Sequence, residues 1–145
     1  MALNLQFSTG YRNALLDQFE TTAGTSVVIE IWTGTQPANC GTADSGTKLA
    51  SFTLDADWMA AAASGAKAGQ KGAAPLSGSN FYTTTGLAAG TAGYFRLKPS
   101  SPTSTNAVAQ GTVGTSGTDM IIDNASIAVG QNVNITGFTL TAPGA

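Results

Sequence analysis

Histidine is absent from the 145 residues, and cysteine occurs once, at Cys40. The first absence removes the imidazole base of Ser-His and Cys-His nucleophile pairs and the imidazole zinc ligand. The second leaves no internal disulfide and no thiolate metal site, so neither a metal nor another cofactor is expected. Charge is scarce too: Asp, Glu, Lys and Arg make up 10% of the chain, against roughly 25% in average soluble domains. Six Lys+Arg and eight Asp+Glu give a net charge of −2, no basic field for a phosphate backbone, and no nucleic-acid partner is expected. The most apolar stretches, Val27 to Trp32 and Trp58 to Ala63, fall far short of the ~20 residues that span a bilayer, so no membrane partner is expected either. The start, Met1 to Phe7, lacks a basic region followed by an apolar run of about 7–15 residues. Synthesis and folding in the cytoplasm are expected, where a lone thiol at Cys40 is unremarkable.

What remains is a chain dominated by Thr, Ser, Gly and Ala, of a length that forms one domain with a real core. A mean hydropathy of +0.08 at low net charge lies outside the composition of disordered chains. Leu3-Asn4-Leu5-Gln6-Phe7 alternates apolar and polar residues, the period of a first strand or of an extended arm. A helix is expected over Tyr11 to Thr21, with Ala14, Leu15, Leu16 and Phe19 inward, Thr9 as N-cap and Gly24 as C-cap. Beyond it the pattern is β. Ser26 to Trp32 places Val28 and Glu30 on one face and Val27, Ile29 and Ile31 on the other. Further strands are expected at 48–54, 80–85, 93–98, 107–113, 119–122, 126–129 and 133–141. Trp58 to Ala63 reads either as a short helix by alanine propensity or as a strand edge. Residues 66–78 and 99–106 read as exposed loops. The expected fold is all-β, a β-sandwich or jelly roll of about eight short strands with one short N-terminal helix. Residues 1–10 form the extended segment or first strand, and 11–145 a single β-sandwich domain.

No catalytic residues emerge, and the chain is not expected to be an enzyme. Asp55 and Asp57 are close enough to share a strand face, but charges at the end of a strand are ordinarily solvated. Asp119 and Asp123 bracket Met120-Ile121-Ile122 as solubilising ends of an apolar strand. Ser116, in Gly114-Thr115-Ser116-Gly117, has neither the spacing of a nucleophile elbow nor a histidine to activate it, and reads as part of a hairpin turn. Phosphate-binding glycine loops are missing. The aromatic residues carry more. Trp32 ends a strand, Trp58 follows an acidic corner, and Phe81-Tyr82 and Tyr94-Phe95 are adjacent pairs that send one ring to each side of a strand. Outward rings are anchors for a subunit or shell contact, unless both sides are covered. Leu3, Leu5, Phe7, Trp32, Trp58, Phe81, Tyr82, Tyr94 and Phe95 are therefore the candidate contact residues.

The run Tyr11-Arg-Asn-Ala-Leu-Leu-Asp, followed by Thr25-Ser-Val-Val-Ile-Glu-Ile-Trp-Thr-Gly-Thr-Gln-Pro-Ala and Leu49-Ala-Ser-Phe-Thr-Leu, resembles small virion proteins of tailed bacteriophages and prophages. Gly90-Thr-Ala-Gly-Tyr-Phe-Arg-Leu, Gly111 to Asn124 and Ile127 to Leu140 extend the resemblance over most of the chain. Within that group it is most similar to head decoration, or capsid cement, proteins. The resemblance implies a trimeric β-sandwich bound to the major capsid protein on the outside of the shell, made in the host bacterial cytoplasm, with no catalytic residues. The segment Ala2 to Phe7 would then be an arm that adds a strand to an exposed edge. Other readings of the same texture are a tail or head-tail joining component, a fibre tip that binds a glycan through Trp32 or Trp58, and a pilin-like subunit. The pilin-like reading lacks the expected cysteine pair and signal peptide.

Overall fold

The computed structural model describes residues 4–144, beginning with an N-terminal stretch that belongs to no helix or strand. Helix α1 spans Thr9–Ala23. Its N-cap is Ser8 rather than Thr9: the Ser8 backbone is extended and its Oγ accepts the Tyr11 N–H at 3.2 Å. A hydroxyl one residue earlier thus satisfies a donor of the first turn. At the other end Gly24, at φ +87°, donates its N–H to the Glu20 carbonyl.

Eleven strands follow: β1 Val28–Thr33, β2 Lys48–Thr53, β3 Ala66–Ala68, β4 Gln70–Lys71, β5 Ala74–Pro75, β6 Tyr82–Thr85, β7 Gly90–Lys98, β8 Ala109–Gly114, β9 Met120–Ile122, β10 Ser126–Ile127 and β11 Asn132–Thr141. The main path runs β2-β1-β7-β8-β9-β11-β3, with β6 also paired to β11 and β10 to β7; β4 and β5 form a separate hairpin. The sheet curls, because β6 comes back against β2 and the Leu87 N–H just beyond it reaches the Leu49 carbonyl at 2.8 Å. This all-β architecture with one short helix is the class that the strand pattern predicts.

Antiparallel register sets Ile29 opposite Leu97, Glu30 opposite Arg96, Ile31 opposite Phe95 and Trp32 opposite Tyr94. Ile29, Ile31, Phe95 and Leu97 join the enclosed core with Leu49, Phe52, Trp58, Met120, Val133 and Phe138. The alternate residues face outward, yet Glu30, Tyr94, Arg96 and Lys98 are buried as well. The segment 34–47 lies over them. Its root passes so close to β7 that a Cβ on Gly93 would overlap the Gly34 carbonyl oxygen.

One expectation is settled and two are corrected. Trp58 to Ala63 is not a helix, and of its two readings the strand edge holds: Met59 bridges to Gly69 and Ala63 to Ala66. Alanine propensity yields here to pairing with a neighbouring strand. Residues 66–78 are not simply a loop. They supply β3, β4 and β5, and Lys67 and Gln70 are buried because β3 pairs with the end of β11 and carboxylates of α1 reach Lys67. Finally, β8 and β9 do not form a hairpin. They run parallel, with Val113 beside Met120 and Gly114 beside Ile121, so the Ser116 loop carries the chain back before β9 starts.

Candidate functional site

Three regions outside the apolar core carry polar chemistry. The first lies beneath the 34–47 segment. Lys98 Nζ stands 2.6 Å from Glu30 Oε2 and 2.7 Å from Asp44 Oδ2, while Lys48 Nζ is 2.9 Å from Glu30 Oε1. Arg96, fully enclosed, donates through Nη1 to Asp44 Oδ1 and the Thr42 and Ser104 carbonyls, and through Nη2 to the Cys40 carbonyl. Tyr94 donates its hydroxyl to the Ser45 carbonyl at 2.6 Å. Trp32 stacks on Tyr94 with ring centroids 6.4 Å apart, and Lys48 and Lys98 each hold Nζ 5.7 Å from the indole centroid. Sheet charges thus meet loop carbonyls and one loop carboxylate, and the group closes the outer face. It is a clamp, with no bound group needed to complete its ion pairs.

The second region is α1. Its inner face is fixed mainly by polar bonds. Arg12 Nη2 donates to the Ala142 carbonyl, Asn13 Oδ1 accepts from Gly65 N–H, and Trp58 Nε1 donates to the Gly24 carbonyl. Lys67 Nζ lies 2.7 Å from Asp17 Oδ1 and 2.9 Å from Glu20 Oε2. Burial works against the Lys67 charge, but the two carboxylates outweigh it and raise the pKa; the Lys67 ammonium, with the Ala62 N–H, holds the Asp17 carboxyl below its usual range. Only Leu16 and Ala23 are buried on the helix, so the expected inward set of Ala14, Leu15, Leu16 and Phe19 is corrected: Ala14 and Leu15 face solvent. The outer face and the residues before it carry Leu5, Phe7, Tyr11 and Leu15, all exposed, with Phe7 and Tyr11 rings 5.0 Å apart.

The third region is a cleft of about 520 Å³ between the start of the 34–47 segment and β8, lined by Thr35, Gln36, Tyr94, Gln110, Thr112 and Asp119. Asp119 accepts both the Thr112 hydroxyl (2.7 Å) and the Thr112 N–H (2.8 Å), which hold its carboxyl below the usual range. Gln110 donates Nε2 to the Pro37 carbonyl, but its buried Oε1 has no donor. Tyr82 lies elsewhere, enclosed between β6 and the Asp55 turn. Burial pushes its phenol up to about 12 while its hydroxyl donates to the Gln70 carbonyl.

The candidate contact residues do not converge. Leu3 lies outside the described residues. Leu5 and Phe7 are exposed, whereas Trp32 and Phe81 are half-buried. Trp58, Tyr82, Tyr94 and Phe95 are buried, so these four are corrected from contact anchors to packing residues. For the Tyr94-Phe95 pair both sides of the strand are covered, Phe95 by the core and Tyr94 by the 34–47 segment. Trp58 is likewise closed to a glycan. Sequence reasoning missed Tyr11 and Leu15, four residues apart on the outer face of α1, and it missed Asp44 and Gln110. The spacing Arg12, Asn13, Asp17 and Glu20, one polar face at helical period, was the available sign that α1 docks through polar groups.

Among the described residues there is no group of three or more Cys, Asp or Glu side chains placed to hold a metal ion, and no helix is long and apolar enough to cross a membrane. The class that the fold defines is an all-β protein with one helix among the described residues, a clamped outer sheet face and an apolar strip at its N-terminal end. Compared with known protein families, curated proteins and solved structures, the chain matches none.

Proposed function

We propose that this chain is a structural virion protein of a tailed bacteriophage, decorating the capsid exterior as a homotrimer and stabilising it without catalysis. The observation that carries the reading is the contrast between internal and external chemistry. All six basic side chains have partners within the fold: Arg12 on Ala142, Lys48 on Glu30, Lys67 on Asp17 and Glu20, Lys71 on the Phe81 carbonyl, and Arg96 and Lys98 on Asp44. Engaging a phosphate backbone would mean breaking those bonds. Outside remain neutral polar groups, a few carboxylates, the strip Leu5, Phe7, Tyr11 and Leu15, and the exposed side chains of Leu87 and Val129. Exposed apolar residues rimmed by polar ones are the usual material of a protein contact. The partner under this reading is the major capsid protein at junctions between capsomers, and the site of action is the surface of the virion. A protein that binds only the expanded lattice stabilises it by its free energy of binding. Sedimentation of the purified protein with empty expanded heads tests this. Co-sedimentation and a raised temperature of head disruption are expected, and protein left wholly in the supernatant contradicts the proposal.

A second reading, a tail component or fibre tip that binds a glycan, is favoured by the Gln110 cleft, where Gln36, Gln110 and Asp119 offer amide and carboxylate partners to sugar hydroxyls. Binding on a glycan array, lost in Gln110→Leu and unaccompanied by head binding, would select it.

A further inference from the structure

The sheet has a gap one strand wide. On one side β8 pairs with β7 from Ala109 to Thr112, but on its other side β9 accompanies it only at Val113 and Gly114. Likewise β11 pairs with β9 from Ile135 to Phe138, while Thr139, Leu140 and Thr141 pair only with β3, on the far side. Beyond the start of β9, then, the edges of β8 and β11 face each other with no strand between them. Neighbouring strands lie about 4.8 Å apart, so the two edges that flank β9 stand roughly 9–10 Å from each other, the width of one inserted strand. A cavity of about 370 Å³ occupies the gap, lined by Phe95, Ala109, Gln110, Phe138, Leu140 and Thr141 among others. Its floor is the edge-to-face pair of Phe95 and Phe138. Ala109, the core-facing residue of β8 on its lining, is too small to fill it. At its rim sits Gln110 Oε1, buried and without a donor.

We infer that this gap receives the Asn4–Phe7 segment of a second copy of the chain, inserted as a strand between β8 and β11. The inference deepens the proposed self-association by naming its contact, and it rests on that reading. Thr139 to Thr141 on one wall, and Ala109 to Gly111 on the other, where Asp119 already holds the Thr112 N–H, correspond to about 10 Å of strand, which a four-residue segment fills. Insertion turns Leu5 toward Phe95 and Phe138 and leaves Asn4 and Gln6 facing outward, the alternation that a half-buried strand needs. The inserted backbone pairs with both edges and places an N–H donor within reach of Gln110. Segment and gap suit each other electrically, since Asn4-Leu5-Gln6-Phe7 is neutral and Asp119 is the one charged group at the gap.

In a single molecule this segment lies elsewhere. Phe7 N–H is held by its own Gly144 carbonyl at 2.9 Å, past the end of β11, a bond that the donating copy must release, and Leu5 is 74% exposed. When each copy gives its segment to the next, the contacts are head-to-tail and close into a ring when the rotation permits.

Disulfide trapping tests the exchange. In a Cys40→Ser background, Leu5→Cys and Ala109→Cys are combined, equal amounts of ¹⁴N- and ¹⁵N-labelled protein are mixed, and the mixture is oxidised. Disulfide-linked peptides with one partner from each label are expected. A disulfide confined to single chains, or none, overturns the inference. Because the cysteine pair can perturb folding, Leu5→Asp provides an independent measure, since Leu5 contributes nothing to the monomer core. Light scattering should show at least a tenfold weaker association for Leu5→Asp with an unchanged thermal midpoint, and association equal to that of the parent chain overturns the inference. A chain that stays monomeric yet binds expanded heads refutes the strand exchange and the homotrimer and leaves the capsid reading standing. A chain that exchanges strands but binds no head refutes the capsid reading alone.

Discussion

Two lysines in this protein each sit between two carboxylates, with nearly the same distances and different consequences. Lys98 bridges Glu30 and Asp44 at 2.6 and 2.7 Å, with side-chain exposures of 1%, 4% and 11%. Lys67 bridges Asp17 and Glu20 at 2.7 and 2.9 Å, but Asp17 is 52% exposed and Glu20 21%. In the first group all three charges have left water, and each depends on the others for compensation. In the second the lysine is also enclosed, at 3%, but solvent reaches both carboxylates and replaces the lysine at little cost. The clamp over β1 and β7 therefore belongs to the global fold, whereas α1 and the segment before it are held lightly. This division suits a protein that keeps a rigid sheet and commits its N-terminal end to a neighbour.

Substitutions separate the two groups. The largest effect is expected from Asp44→Ala, which strands Arg96 and Lys98 beneath the 34–47 segment and should cost about 3–5 kcal/mol in urea unfolding. Gly93→Ala attacks the same clamp sterically, by driving a methyl into the Gly34 carbonyl. A loss of about 1–3 kcal/mol is expected there, as for other overpacked sites. Lys67→Met, by contrast, should cost less than about 1 kcal/mol. It should speed hydrogen exchange in α1 while leaving β1 and β7 amides protected, because local opening of the helix is separate from global unfolding. If Lys67→Met matched Asp44→Ala, the two groups would be equivalent and the distinction would fail.

Acidity sharpens the same contrast. The lowered Asp17 pKa contributes stability above the ordinary carboxylate range, near 3.9, and loses it as pH falls further; the raised Lys67 pKa contributes up to about pH 10.4 and is lost above that. Helix exchange should thus accelerate at both extremes, and less so in Lys67→Met. Tyr82 marks the alkaline limit of the core. Its phenol ionises at about 12 in the fold and near 10 when unfolded, so stability should fall as pH rises through that interval. Absorbance titration should show a late-ionising phenol that disappears in Tyr82→Phe.

Much of the β architecture was legible because each strand writes its own period. Val28 to Trp32 alternates correctly, and each of the eight expected strands has a counterpart within a few residues. What was not legible depends on partners distant in the chain. Lys67 lies in a Gly/Ala-rich stretch that reads as loop until Asp17 and Glu20, about fifty positions earlier, come to meet it. Tyr94 looks like an anchor until Ser45 covers it. The gap beside β9 is invisible for the same reason, since a missing strand leaves no residues to read.

The most direct test of the account is a cryo-microscopy map of expanded phage heads saturated with this protein. The account predicts trimeric density on the outer surface at capsomer junctions, with strand density continuous between neighbouring copies at the β8 and β11 edges. Heads indistinguishable from untreated ones would contradict it.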